Sequence, residues 1–332
     1  MLGRQGCRIV SGLTLQGYEG LILENRWLQI WVLPGKGSDV VQFLYKPADV
    51  DFTWSTAWGL RRRRDGLNFL DQYEGGWQEV FPNGGTVADY QGAPLAQHDE
   101  VARLPWDWQV VEERRDRVAI RLNVDLLKSP FRIEKELELT NDRPVLTVRE
   151  RVRNLSPFPQ RAMWGHHLAF GPPFLTPDCR IETDARTVLV QPEPGDARRY
   201  RPGRYTWPWV EGTDGTRHDL RRVPPPGPER DIVYLTDFEA GSYRLGDPET
   251  GLGLVVRWDH RVLPYCWYWQ ELGADGYPWY GRHYNIGLEP FAGYPTHGLQ
   301  EAVDNGSALT VAAYGELTLT ASIAVQEGGI RG

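Results

Sequence analysis

The stretch Arg117-Val118-Ala119-Ile120-Arg121-Leu122-Asn123-Val124-Asp125, followed by Arg132-Ile133-Glu134-Lys135-Glu136-Leu137-Glu138-Leu139, decides the fold. Val118, Ile120, Leu122 and Val124 alternate with Arg117, Ala119, Arg121, Asn123 and Asp125, and Ile133, Leu137 and Leu139 alternate with Arg132, Glu134, Glu136 and Glu138. Successive side chains of a strand point to opposite faces, so a period of two marks half-buried antiparallel strands. Asn141-Asp142 then leads into Leu146, Val148, Glu150 and Val152, and the whole reads as a hairpin or meander.

The same pattern recurs outward from there. Strands are expected at Leu21 to Leu33, at Leu252 to Trp258, and at the end, where Leu317, Leu319, Ala321, Ile323 and Val325 share one face. No segment keeps helical periodicity for three turns. Gly 36 and Pro 25 make up about 18% of the 332 residues, against roughly 12% in average usage, which implies many turns. The expectation is an all-β chain in one domain over 1–332, with two large antiparallel sheets face to face and long excursions at one end. Residues 191–230 differ in character, with eight Pro and five Gly. Trp207-Pro208-Trp209 inside this segment makes it either a candidate lid over a ligand site or an excursion packed on the sheet.

With 41% hydrophobic and 24% charged residues, the chain is neither disordered nor fibrous. A net charge of −7 argues against a general nucleic-acid or anionic-membrane binder, because phosphate contact needs a positive face. The run Arg61 to Arg64 is the one strongly basic spot, read either as a solvated loop or as an anchor for a phosphorylated ligand. No apolar stretch has the length of a signal peptide or of a membrane span of about 20 residues. The expectation is a soluble cytoplasmic protein, monomeric or homodimeric. Cys7, Cys179 and Cys266 are odd in number and far apart, which suggests neither a disulfide framework nor a zinc site.

Four segments place ionisable groups among aromatic and turn residues: Gly75 to Gly85, Gln97 to Trp106, Trp164 to Gly171 and Gly287 to Pro295. In an extended strand His166 and His167 point to opposite faces, so they do not both enter one pocket and the pair does not bind a metal; each reads either as a functional histidine or as a structural one satisfied by hydrogen bonds. Glu289 is held extended by Pro290 beside Phe291 and Tyr294, where desolvation would raise its pKa toward that of a useful general base. Trp267 and Trp269 share one face, either as core filling or as a platform for stacking a sugar.

At these residues the chain resembles the aldose 1-epimerase, or galactose mutarotase-like, family. His98-Asp99-Glu100-Val101-Ala102-Arg103, with Trp106 and Trp108 after it, is similar to the family's His-Gly-Phe-x-Arg motif and its tryptophan. Gly165-His166-His167-Leu168-Ala169-Phe170 is similar to Gly-x-His-Pro-Ala-Phe, with His167 at the motif histidine and Leu168 in place of its proline. Glu289-Pro290, with Gly293 and Pro295, matches a Glu-Pro followed by Gly and Pro before the last strands. The resemblance covers roughly residues 15 to 328. It implies a β-supersandwich and a cofactor-independent isomerase, with Glu289 as general base, His167 as general acid and His98 touching substrate.

The binding set expected around them is Arg103, Trp77, Glu79, Asn83, Trp267 and Trp269, with Asp259 standing for the family's aspartate that holds sugar hydroxyls. No clear equivalent of the family's arginine is present, and Asn83, Gln78 or Glu79 takes that place. The partner implied is a monosaccharide or a sugar phosphate, with no metal. The competing readings are a non-catalytic sugar-binding or sensor protein on the same fold, a hexose-phosphate 1-epimerase that would employ Arg61 to Arg64, and a glycoside hydrolase using Glu79 and Glu289.

Overall fold

The computed structural model describes residues 6–64, 66–192 and 199–328. The deciding stretch forms the strands Arg117–Asp125, Phe131–Thr140 and Val145–Asn154. They pair antiparallel with Ile120 opposite Leu137 and Leu137 opposite Val148. Each of these apolar residues is fully buried. The other face carries cross-strand ion pairs such as Arg121–Glu136 at 3.1 Å and Arg149–Glu138 at 2.9 Å, which lie near the surface and add little stability.

Among the described residues the ladder grows into an eight-stranded sheet, running from Arg180–Thr183 through Ser242–Gly246, Leu252–Trp258 and Glu316–Glu327 to the three strands above and Asp107–Glu113. A twelve-stranded sheet packs against it. The core between them joins Leu23, Ile30, Val32 and Phe43 of the larger sheet to Ile120, Leu137, Val148 and Ile323 of the smaller. This is the expected all-β sandwich of large antiparallel sheets. The stretch Leu21 to Leu33 divides into Tyr18–Glu24 and Leu28–Leu33. Asn25 makes the break, its side-chain oxygen accepting the N–H groups of Trp27 at 2.8 Å and Leu28 at 2.6 Å.

Among the described residues helix is confined to short pieces. Phe69–Gln72 is held by a reciprocal cap, in which Asn68 Oδ1 accepts the Asp71 N–H at 2.9 Å and Asp71 Oδ2 accepts the Asn68 N–H at 3.3 Å. Leu299–Asp304 is the second. Among the described residues no helix is long and apolar enough to cross a membrane.

The described part of the 191–230 excursion packs on the sheet. Gly203–Thr206 pairs with Thr187–Val190 at the sheet edge, and Trp209–Glu211 forms a hairpin with Arg217–Asp219. Trp207 packs against the core, and Trp209 lies under the Arg217 guanidinium, 4.1 Å from the ring centroid. Residues 193–198 lie outside the described residues. Five adjacent central strands of the larger sheet, Trp77–Val80, Trp164–Phe170, Asn285–Ala292, Tyr265–Glu271 and Arg230–Thr236, carry the groups of interest.

Candidate active site

Strand register places these groups. His166 pairs with Glu79 and His167 with Gln78, while Glu289 pairs with Trp267 and Gly287 with Trp269. Since paired residues share a face, His166 and Glu79 turn toward the smaller sheet. His167, Glu289, Trp267 and Trp269 turn outward, into a cavity of about 360 Å³, within the range of small-molecule sites. Its walls are aromatic, with Phe69, Tyr73, Trp269 and Trp279 alongside His98, His167 and Glu289.

His167 Nε2 lies 3.6 Å from Glu289 Oε1. The Tyr73 hydroxyl is 3.3 Å from His167 Nδ1, so with Nδ1–H donating to the phenol oxygen, Nε2 presents its lone pair to the carboxyl. The His98 ring stands edge-on to His167 with centroids 5.3 Å apart. Its Nδ1 accepts the Gly85 N–H at 3.1 Å, which puts the proton of the neutral ring on Nε2. His98 has φ of 49°, a left-handed conformation uncommon outside glycine. Gly287 makes room for the acid, because a Cβ there would overlap Glu289 Oε1. Gly165 likewise admits the Phe291 ring, which stacks on Trp267 with centroids 3.8 Å apart.

Burial is the leading cause acting on both groups of this pair, so it decides their ionisation. Burial holds the Glu289 carboxyl well above the ordinary carboxylate range and pulls the His167 imidazole down to about 4. Burial, with the neighbouring His167, holds His98 well below the usual histidine value. Both shifts favour the neutral forms, a protonated carboxylic acid facing a neutral imidazole, one proton donor beside one acceptor.

The opposite face is built differently. Lys135 Nζ lies 2.8 Å from Glu79 Oε2 and 3.6 Å from Glu150 Oε1, and donates to Ser38 Oγ at 2.8 Å. His166 Nε2 lies 3.0 Å from Glu150 Oε2, and its Nδ1 accepts the Trp77 indole N–H at 3.1 Å. Trp164 donates its indole N–H to Glu79. Burial alone would depress His166, but Glu150 and Glu79 outweigh it and raise the imidazole. Glu79, Glu150 and His166 have the spacing of a metal site, but the Lys135 ammonium already supplies the cation between the two carboxylates.

The structure thus brings together Glu289, His167, His98, Trp267 and Trp269, and places the other expected residues elsewhere. Trp77 and Glu79 sit on the inter-sheet face, because the strand's alternation turns them away from the cavity. Asn83 is buried in a loop, where its amide donates to Thr86 O and Ala96 O and accepts the Leu299 N–H. Arg103 donates to Leu67 O at 2.8 Å and faces a separate cavity. Asp259 is paired with Arg261 at 2.9 Å on another part of the surface. With Glu79 and Glu289 on opposite faces of one sheet, these two carboxylates do not flank one substrate as a glycosidase pair would. Tyr73, Trp279, Arg230 and Glu271 also line the cavity and were not anticipated. Trp279 stands in Gly276-Tyr277-Pro278-Trp279-Tyr280-Gly281 and Tyr73 just before Glu74-Gly75-Gly76, the same mixture of aromatic and turn residues that marked the other site segments.

The sequence profile of a family described as "Domain of unknown function (DUF4432)" matches residues 16–325. The chain belongs to this family. No curated protein matches the sequence. Among solved structures, this family member is similar to a candidate aldose 1-epimerase from Klebsiella pneumoniae, with a TM-score of 0.75, 12% identity and coverage of 97% of this chain and 83% of that one. It is also similar to a galactose mutarotase-like protein from Clostridium acetobutylicum, with a TM-score of 0.64, 12% identity and coverage of 97% and 99%. The Slr1438 protein from Synechocystis gives a TM-score of 0.68 at 17% identity over 96% and 100%. At such identities the likeness is one of fold, and the fold of this DUF4432 member is galactose mutarotase-like.

Proposed function

We propose that the protein is a cofactor-independent aldose 1-epimerase, interconverting the α and β anomers of a monosaccharide or sugar phosphate. The observation that carries this reading is the His167–Glu289 pair, 3.6 Å apart at the base of an aromatic-walled cavity. Anomer exchange requires one base and one acid. The base takes the proton of the C1 hydroxyl while the acid protonates the ring oxygen, and the C1–O5 bond opens to the aldehyde. Rotation about C1–C2 presents the other carbonyl face, and closure returns both protons.

A resting pair with its proton on Glu289 enters this cycle with the carboxyl as acid and His167 as base. That is the same pair with the proton on the other partner from the assignment the family resemblance implies. The distance of 3.6 Å is longer than a hydrogen bond, as is common for catalytic pairs before substrate closes them. His98 offers an Nε2–H to a sugar oxygen, while Trp269 and Trp279 cover the apolar face of the ring.

Magnetisation-transfer NMR on freshly dissolved aldoses and aldose phosphates tests the reading. Catalysed exchange is expected in the wild type and is lost in Glu289→Gln and in His167→Asn. Full exchange in both variants refutes it, and saturable sugar binding without any exchange identifies a sugar-binding protein instead.

A further inference from the structure

The run Arg61 to Arg64 has no part in the sugar cavity, and its arginines divide. Arg61 lies 4.5 Å from the centroid of the Trp58 ring and donates to Asp71 O at 2.9 Å. Arg63 and Arg64 instead line a second cavity, of about 280 Å³, with Arg103 and Lys128. The two cavities share a wall. Phe69, Leu70 and Tyr73 line the first and Gln72 the second, and His98 lines the first while Asp99 and Glu100 line the second.

The charges of this second cavity are only partly matched. Glu100 is committed to the backbone of the neighbouring turn, accepting the N–H groups of Leu127 and Lys128 at 2.8 Å each and the Ser129 hydroxyl at 2.8 Å. Asp99 is shared between Lys128 and Arg103, the latter at 3.6 Å. The loop carrying Arg63 and Arg64 is tied through its backbone. The Arg63 N–H donates to Gln16 O at 2.8 Å, Gln72 Nε2 reaches Arg64 O at 3.4 Å, and Arg103 donates to Leu67 O. Among the described residues neither the Arg63 nor the Arg64 guanidinium has a hydrogen bond or ion pair of its own. Two uncommitted guanidiniums therefore line a cleft where, among the described residues, five cationic side chains face two anionic ones, Lys36 being held by Asp39 and Glu74 behind the wall, on a chain of net charge −7.

We propose that this cleft binds a phosphate-bearing small anion. Planar guanidiniums supply paired N–H donors that match phosphate oxygens, and the partly enclosed cleft screens them less than open solvent would. The phosphate reaches the cleft either on a separate ligand or on a sugar that occupies the adjoining cavity.

The test is calorimetric titration of inorganic pyrophosphate at low ionic strength, with wild type and with Arg63→Ser/Arg64→Ser. One saturable site is expected, weakened at least about tenfold in the double variant and further by added salt. Absence of binding in the wild type, or equal affinity in the double variant, overturns the proposal. Trp269→Ala assigns the source. Pyrophosphate affinity indifferent to Trp269→Ala marks a separate ligand, whereas an aldose phosphate whose binding falls in both variants marks a phosphate carried on the sugar. Both results support the site. The readout is heat of binding, so its failure leaves the epimerase reading intact, and loss of anomer exchange does not touch it.

Discussion

His166 and His167 are adjacent in the chain and almost equally buried, at 2% and 6% exposure, yet they live in opposite electrostatic regimes. On the inter-sheet face every buried charge meets another, with Lys135 between Glu79 and Glu150 and His166 against Glu150. On the cavity face burial dominates both the acid and the imidazole, and among the described residues neither is paired with a basic side chain. Ionised groups persist in a dry interior only when paired, so the first cluster is a locked electrostatic joint between two sheets. Unpaired groups revert to their neutral forms and remain able to pass a proton. The difference shows that burial and titratability do not mark a reactive site without the pairing state of the group.

The largest effect that would break this contrast is kinetic. Glu289→Gln or His167→Asn is expected to lower anomer exchange by about 10²–10⁴-fold, the usual contribution of one positioned proton-transfer group, with the melting temperature unchanged. Lys135→Met should do the reverse. Leaving Glu79 and Glu150 without their cation is expected to cost about 3–5 kcal/mol in denaturant unfolding. A stable Lys135→Met protein would show that the inter-sheet face is not held by pairing.

The two histidines should also impose opposite pH slopes on stability. The folded-state pKa of His167 is depressed to about 4, so the unfolded chain takes up its proton first. This residue therefore withdraws roughly 3 kcal/mol of stability as pH falls from about 6.5 toward 4. His166 is raised, so its contribution is fully present below the unfolded pKa and is lost as pH rises through the folded one. Unfolding curves of His167→Asn between about pH 4 and 6.5, and of His166→Asn from there upward, check both signs, and parallel curves would dissolve the distinction. Anomer exchange should fall with His167 protonation near pH 4, and fall again at higher pH once the raised Glu289 carboxyl loses its proton.

Gly287→Ala should displace the Glu289 carboxyl that now occupies the space of the missing Cβ, lowering exchange by about ten- to a hundredfold in kcat/KM. The smallest expected effect is at Asp259→Asn. With that carboxylate turned to Arg261 outside the cavity, exchange should be unchanged and stability altered by less than about 0.5 kcal/mol.

Much of this protein was legible in its residues. Period-two alternation from Val118 to Val152 fixed the antiparallel ladder, because a strand half buried against a core must alternate. The same alternation required that His166 and His167 part company, and the resemblance at Glu289-Pro290 and at the histidine motif led to residues that do line one cavity. The sequence alone could not say which histidine turned outward, since a period of two leaves the choice of face open until register and packing set it. For the same reason it could not separate Glu79, bound to a lysine from another sheet, from Glu289, bound to none. Asp259 was misplaced and Tyr73 and Trp279 were missed because a cavity wall is assembled from loops far apart in the chain. Alternation is a property of neighbouring residues and is written locally, whereas the pairing of buried charges depends on which strands meet, and only the tertiary structure decides that.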